Sequence, residues 1–248
     1  LCYEQNMFWP DAISAGSALA IGSSPTGDAI YALYSNNSFY RYQRDALSGY
    51  YVQSHSTNPS LQVPAGDNGS IIQIGVYIYV FTNDATNITC SRFLAADLTG
   101  ETGITVPTVA CTDVVTAWTD GTSAYVVSSQ SDTTSRKWTL SGTTFTAAST
   151  ATVTTNIFDL TGTTTMFDGT SAYVARQSGG TVTIEKLNTI DGSSRTTTTK
   201  ILSNAGTEFY GIILNIDTTR CYVGFFYSEF DAAAQNATRL YLVPITKP

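Results

Sequence analysis

Asp120-Gly121-Thr122-Ser123-Ala124-Tyr125-Val126 recurs letter for letter as Asp168-Gly169-Thr170-Ser171-Ala172-Tyr173-Val174. A degenerate copy follows at Asp217-Thr218-Thr219-Arg220-Cys221-Tyr222-Val223, and two shorter ones precede at Ile30-Tyr31-Ala32 and Ile78-Tyr79-Val80. The tyrosines of the five copies stand at 31, 79, 125, 173 and 222, with steps of 48, 46, 48 and 49 residues. A nearly constant period of this length fixes the architecture. Within the third unit, Asp120-Gly121 is a hairpin turn, since this dipeptide accepts the positive φ such turns need. Around it the predicted strands are Val114 to Trp118, Ala124 to Ser128, Arg136 to Leu140 and Thr144 to Val153, rich in the Thr, Val and Tyr that suit pleated, half-buried surfaces. No stretch carries a helical period.

Four strands per unit at a period in the forties predict an all-β, five-bladed β-propeller. The predicted layout is one domain over 1–248, with blades at about 14–56, 67–111, 113–153, 158–202 and 207–246. The last blade lacks a fourth strand, while Cys2 to Trp9 is a spare one ahead of the first blade. That N-terminal strand is therefore expected to complete the last blade, which removes an open sheet edge.

Four cysteines without a CxxC pair read as disulfides. A hairpin centred on Gly100-Glu101 would set Cys90 opposite Cys111, leaving Cys2 and Cys221 by elimination. Charged residues are only 12 % of the chain, about half the usual share, and the net charge is −7. With no basic run, nucleic acid is not an expected partner, and no apolar run is long enough for membrane insertion as a helix. Four sequons, at Asn36, Asn68, Asn87 and Asn236, are candidate N-glycosylation sites. Cysteines, low charge and sequons together point to an extracellular or cell-surface glycoprotein, and a Leu at position 1 suggests a removed leader. Strand counting puts all four sequons on one face, leaving the Asp-Gly turn face and the outer blade edges for partners.

Asp11, Asp67, Asp113, Asp159 and Glu208 each stand just before an innermost strand and would surround one mouth of the axis. They either cap loop turns, hold a calcium-like cation as a metal ring, or act as glycosidase carboxylates. No other cofactor is implied. One histidine, His55, is read as a solvated strand residue, and a multi-histidine zinc site is excluded. The tyrosines of the first blade, from Tyr31 to Tyr51, are read mainly as core.

The two Asp-Gly-Thr-Ser-Ala-Tyr-Val copies and their three relatives resemble five-bladed propellers as an architecture, a group that includes tachylectin-2-like lectins and several glycoside hydrolases. The hydrolase resemblance implies an Asp in blade 1, an Asp in blade 2 and a Glu in blade 3. Asp11 and Asp67 match the first two, but blade 3 offers Asp113 and no glutamate. The reading is accordingly a non-enzymatic interaction or self-assembly module working with a protein partner or its own copies, with a carbohydrate-binding lectin second and a glycoside hydrolase third.

Overall fold

The structure is a computed structural model. It describes residues 5–8, 18–34, 37–49, 51–59, 69–101, 104–112, 115–128, 132–153, 164–178, 181–201, 211–231 and 234–248. Among these, five antiparallel sheets of four strands form. Blade 1 is β2 (Ala18–Ser23), β3 (Ala29–Tyr34), β4 (Phe39–Arg44) and β5 (Tyr51–Thr57). Blade 2 is β6 (Ser70–Ile74), β7 (Tyr77–Asn83), β8 (Ile88–Leu94) and β9 (Gly100–Glu101). Blade 3 is β10 (Thr116–Thr119), β11 (Ser123–Val127), β12 (Thr134–Ser141) and β13 (Thr144–Thr152). Blade 4 is β14 (Thr164–Phe167), β15 (Ala172–Ser178), β16 (Thr181–Leu187) and β17 (Arg195–Ile201). Blade 5 joins β18 (Gly211–Asn215), β19 (Arg220–Asp231) and β20 (Ala234–Thr246) to β1 (Gln5–Phe8). The N-terminal strand thus takes the outermost place of the last blade, with Gln5 opposite Leu242 and Phe8 opposite Arg239.

The ring is a consequence of where apolar residues fall. Inner strands such as Ala29–Tyr34 and Ser123–Val127 are buried along their whole length, because both faces of the sheet meet a neighbouring blade. Outer strands such as Thr144–Thr152 are almost wholly exposed and carry Thr, Ser and Ala instead. Five apolar clusters result, and each straddles one blade boundary. Tyr42 and Tyr51 meet Leu214 between blades 1 and 5, and Leu33 and Phe39 meet Val80 and Phe93 between blades 1 and 2. Phe81 meets Trp138 and Phe145 between blades 2 and 3, and Trp118 meets Val174 between blades 3 and 4. Met166 and Tyr173 meet Ile213 and Val223 between blades 4 and 5. A chain of boundaries that returns to its starting blade is a closed ring.

Hydroxyls stitch the innermost strands together. Ser70 Oγ donates to the Ala117 carbonyl at 3.0 Å, and Thr165 Oγ1 donates to the same carbonyl at 2.7 Å. Ser23 Oγ donates to Ile213 O at 3.0 Å, which joins blade 1 to blade 5. β14 comes close to β2 and β6 across the axis, so the centre of the ring is narrow.

Blade 2 departs from the predicted register. Its third and fourth strands turn at Ala95 to Leu98, where Leu94 N donates to Thr99 O and Leu98 takes a φ of 62°. The turn therefore lies ahead of Gly100-Glu101, which form β9 instead. Beyond β9 the next described segment lies in a displaced register, so that Asn87 bridges Ala110 and Cys111 N reaches Thr86 O. Cys90 and Cys111 are consequently not opposite one another. The Cys90 and Cys221 thiols are unbridged, and Cys111 Sγ donates to Ser128 O at 2.9 Å. The expected Cys90–Cys111 disulfide is not formed here, and the expected Cys2–Cys221 pair lies outside the described residues with Cys2. Blade 5 departs too: β19 and β20 stay paired as far as Asp231 and Ala234. Asn236 thus stands within a strand of the hairpin rather than in its loop.

Candidate functional site

The turns joining strand one to strand two of each blade gather on one face, around one end of the axis. Three share one construction. Asp120 Oδ1 accepts the N–H groups of Thr122 at 2.9 Å and Ser123 at 2.7 Å. Asp168 does the same for Thr170 and Ser171, and Asp217 for Thr219 and Arg220. A short acceptor side chain that bonds backbone two residues on is what Asp supplies to a turn. Gly121 and Gly169 follow it at φ of 87° and 92°, as the Asp-Gly reading requires. In blade 1 the donors are hydroxyls: Ser24 Oγ bonds Asp28 Oδ1 at 2.5 Å and Thr26 Oγ1 bonds it at 2.7 Å.

The repeated tyrosines have a partner that the sequence repeat did not reveal. Across the ladder, Tyr31 pairs with Arg41, Tyr79 with Arg92, Tyr125 with Lys137 and Tyr173 with Lys186. Only blade 5 breaks the pattern, with Pro244 opposite Tyr222. Lys137 Nζ lies 5.4 Å from the centre of the Tyr125 ring, within reach of the ring's negative face, and Tyr125 Oη donates to Asp120 Oδ2 at 2.9 Å. A cation, an aromatic ring and a turn carboxylate are thus locked together in blade 3.

Blade 4 recruits its cation from blade 5. Lys247 Nζ donates to Asp168 Oδ2 at 2.6 Å and to Asn215 Oδ1 at 2.9 Å, and sits 5.1 Å from the centre of the Tyr173 ring. The Lys247 side chain is only 3 % exposed. Burial opposes ionisation of Asp168, but the Lys247 ammonium and the Ser171 and Thr170 N–H groups outweigh it and hold the carboxyl below its ordinary value. Burial is likewise outweighed by hydrogen bonds at Asp28, Asp120 and Asp132. Carboxyls depressed in the folded chain stabilise it fully above their unfolded value, near 3.8. That stability is lost as pH falls below it toward the folded values. Melting temperature is expected to hold from neutral pH to about pH 5 and to fall steeply below about pH 4. A melting temperature unchanged down to pH 2 would contradict this assignment.

At the same end of the axis a pocket opens between Ser23, Pro25, Gln73, Trp118, Thr119 and Phe167. It has room for about one water molecule. Gln73 already accepts from Tyr31 Oη at 3.1 Å and donates to Gly75 O at 3.0 Å.

The carboxylates singled out by position, Asp11, Asp67, Asp113, Asp159 and Glu208, lie outside the described residues, as do Asn36 and Asn68. Asn87 stands in the turn after the second strand of blade 2, partly exposed, with its N–H donating to Asp84 Oδ1 at 2.7 Å. His55 is exposed on β5. Of the blade 1 aromatics, Tyr31, Tyr34, Phe39, Tyr42 and Tyr51 are buried, and Tyr40 is half-buried with its ring 5.7 Å from Tyr34.

No family model matches this sequence, and no curated protein does. Solved structures share its outline distantly. A functionally unknown protein from Desulfotomaculum acetoxidans aligns at 10 % identity and a TM-score of 0.43, over 89 % of this chain and 68 % of that one. TolB from Acinetobacter baumannii aligns at 12 % and 0.41, over 94 % of this chain and 56 % of its own. The WD40 domain of Toxoplasma gondii coronin aligns at 10 % and 0.41, over 91 % and 58 %. At this distance the likenesses assign no activity.

Proposed function

We propose that this chain is a non-enzymatic interaction module of an extracellular or cell-surface glycoprotein. The observation that carries the reading is how its repeated side chains are used. The turn carboxylates Asp120, Asp168 and Asp217 receive the N–H groups of their own turns. Tyr31 and Tyr125 direct their hydroxyls at Gln73 and Asp120. Repetition here builds a stiff ring, and what varies from blade to blade is the outer edges, the parts a partner would read. The burial of Tyr31, Tyr34, Tyr42 and Tyr51 weakens the lectin alternative, since those faces are already covered. The extracellular setting rests on the sequons and the low charge, without help from disulfides.

Expression through a secretory route followed by endoglycosidase digestion tests the glycoprotein part. A mass loss that Asn87→Gln reduces is the expected result. Incubation with arabinan, fructan and xylan tests the rest, with no hydrolysis expected. Turnover that disappeared in an Asp11→Asn variant would overturn the non-enzymatic reading.

A further inference from the structure

The outer edges of the blades are not equivalent. In blade 1, Arg41 faces His55 while Tyr42 faces Gln53, so Ser54 is an extra residue that bulges β5. In blade 3, Lys137 faces Ser149 while Trp138 faces Ala147, and Ala148 bulges β13 in the same way. The start of β13 is also occupied in cis: Thr105 lies in a parallel bridge with Thr144, and Phe145 N donates to Thr105 O at 2.8 Å. Blade 2 ends in a strand of two residues, and blade 5 in one of four. Bulges, short edge strands and a covering segment are devices that keep a sheet edge from pairing with another chain.

Among the described residues, β17 of blade 4 has none of them. Its seven residues, Arg195-Thr196-Thr197-Thr198-Thr199-Lys200-Ile201, pair with β16 in unbroken register. No strand among the described residues lies on its other side. Thr196 and Thr197, whose side chains leave opposite faces of the sheet, are both exposed.

We propose that this edge is a self-association site, where β17 of a second copy adds antiparallel across a two-fold axis at Thr198. The partner follows from the sequence of the edge. In that register Thr198 faces Thr198, Thr197 faces Thr199, and Lys200 faces Thr196. Opposed threonines are favourable cross-strand pairs. The two Lys200 positions stand four residues apart, about 14 Å at about 3.4 Å per residue, beyond the screening length at physiological salt of about 8 Å. Arg195 brings little unbalanced charge, because its guanidinium lies 3.3 Å from the largely buried Glu185 carboxylate. Parallel in-register pairing would instead set Lys200 against Lys200 at about 5 Å. Two blades would thereby become one continuous eight-stranded sheet.

This inference deepens the interaction-module reading and names the partner as a second copy. Sedimentation of the full chain up to roughly 1 mM, the range suited to a small interface, tests it. The mass should rise with concentration from 26.6 kDa toward twice that value. Thr198→Lys and Thr198→Glu each set like charges face to face on the axis and should hold the mass at 26.6 kDa. Mixing the two variants should restore the dimer, which also shows that both are folded. Ser149→Lys, on the bulged edge of blade 3, should leave it intact. A wild-type chain that stays monomeric, a dimer indifferent to Thr198→Lys, a mixture that fails to associate, or a dimer lost in Ser149→Lys would each overturn the proposal. A monomer without hydrolase activity would leave the interaction-module reading standing. A β17-linked dimer that hydrolysed xylan would do the reverse.

Discussion

Lys247→Ala is expected to destabilise the chain by roughly 3–5 kcal/mol, the range for removing one partner from a buried ion pair. The Asp168 carboxylate is 11 % exposed and would keep its turn N–H groups but lose its only described cation. Asn215 Oδ1 would lose the same donor. The effect is large because the side chain crosses a blade boundary: Lys247 follows β20 in blade 5, whereas Asp168 begins the turn of blade 4. Replacing both partners, as Asp168→Asn with Lys247→Met, should recover part of the loss, since an amide oxygen can still accept the turn N–H groups and no charge is left stranded. Urea unfolding of the two singles and the double measures the coupling directly. Equal losses in Lys247→Ala and the double variant would show that the charge itself is not what the site requires.

Trp138→Ala is expected to cost about 3–5 kcal/mol, as large-to-small changes in packed cores do. Trp138 is 1 % exposed, with its ring centre 6.0 Å from Phe81 and 6.3 Å from Phe145. These rings come from different blades, so the cavity would open at the boundary of blades 2 and 3 rather than within one sheet. At roughly 2–4 °C per kcal/mol for a chain of this size, the melting temperature should fall by roughly 6–20 °C. Trp138→Phe retains a ring there and should lose much less. A calorimetric scan decides; a fall below about 3 °C for the alanine variant would mean that the boundary collapses onto the gap.

The five blades were legible because Tyr and Asp-Gly recur at nearly constant steps, and the closing strand because one blade was a strand short. What escaped was set by pairing across the ladder. The cation opposite each blade tyrosine lies ten residues on in blade 1, thirteen in blades 2 and 4 and twelve in blade 3. Variable hairpin lengths hide it from any fixed spacing. The blade 2 register failed for a conformational reason. Gly100 signals a turn, yet Leu98 takes the positive φ and is held by burial against Phe93 and Ile78. Cys90 and Cys111 fall out of opposition for the same reason. The Lys247 contact depends on one residue just beyond the last strand, which no pattern marks. The bulges at Ser54 and Ala148 are equally silent in the sequence, since each adds one polar or small residue to a Thr- and Ser-rich strand.

The pairing of β1 with β20 also sets the order in which the molecule can assemble. In blades 1 to 4 every strand meets a partner a few dozen residues away or less, so these sheets can form from local hairpins as soon as their own segments are available. Gln5 meets Leu242, 237 residues further along the chain. Contacts of such separation bring loop-closure entropy and slow the search for them. Refolding should therefore show a fast phase that builds four blades and a slower one that completes the fifth. During synthesis β1 must wait, unpaired, until β20 has left the ribosome. In the finished molecule the same four residue pairs are the natural place for the ring to breathe, and their amide hydrogens should exchange ahead of those on β3 and β11.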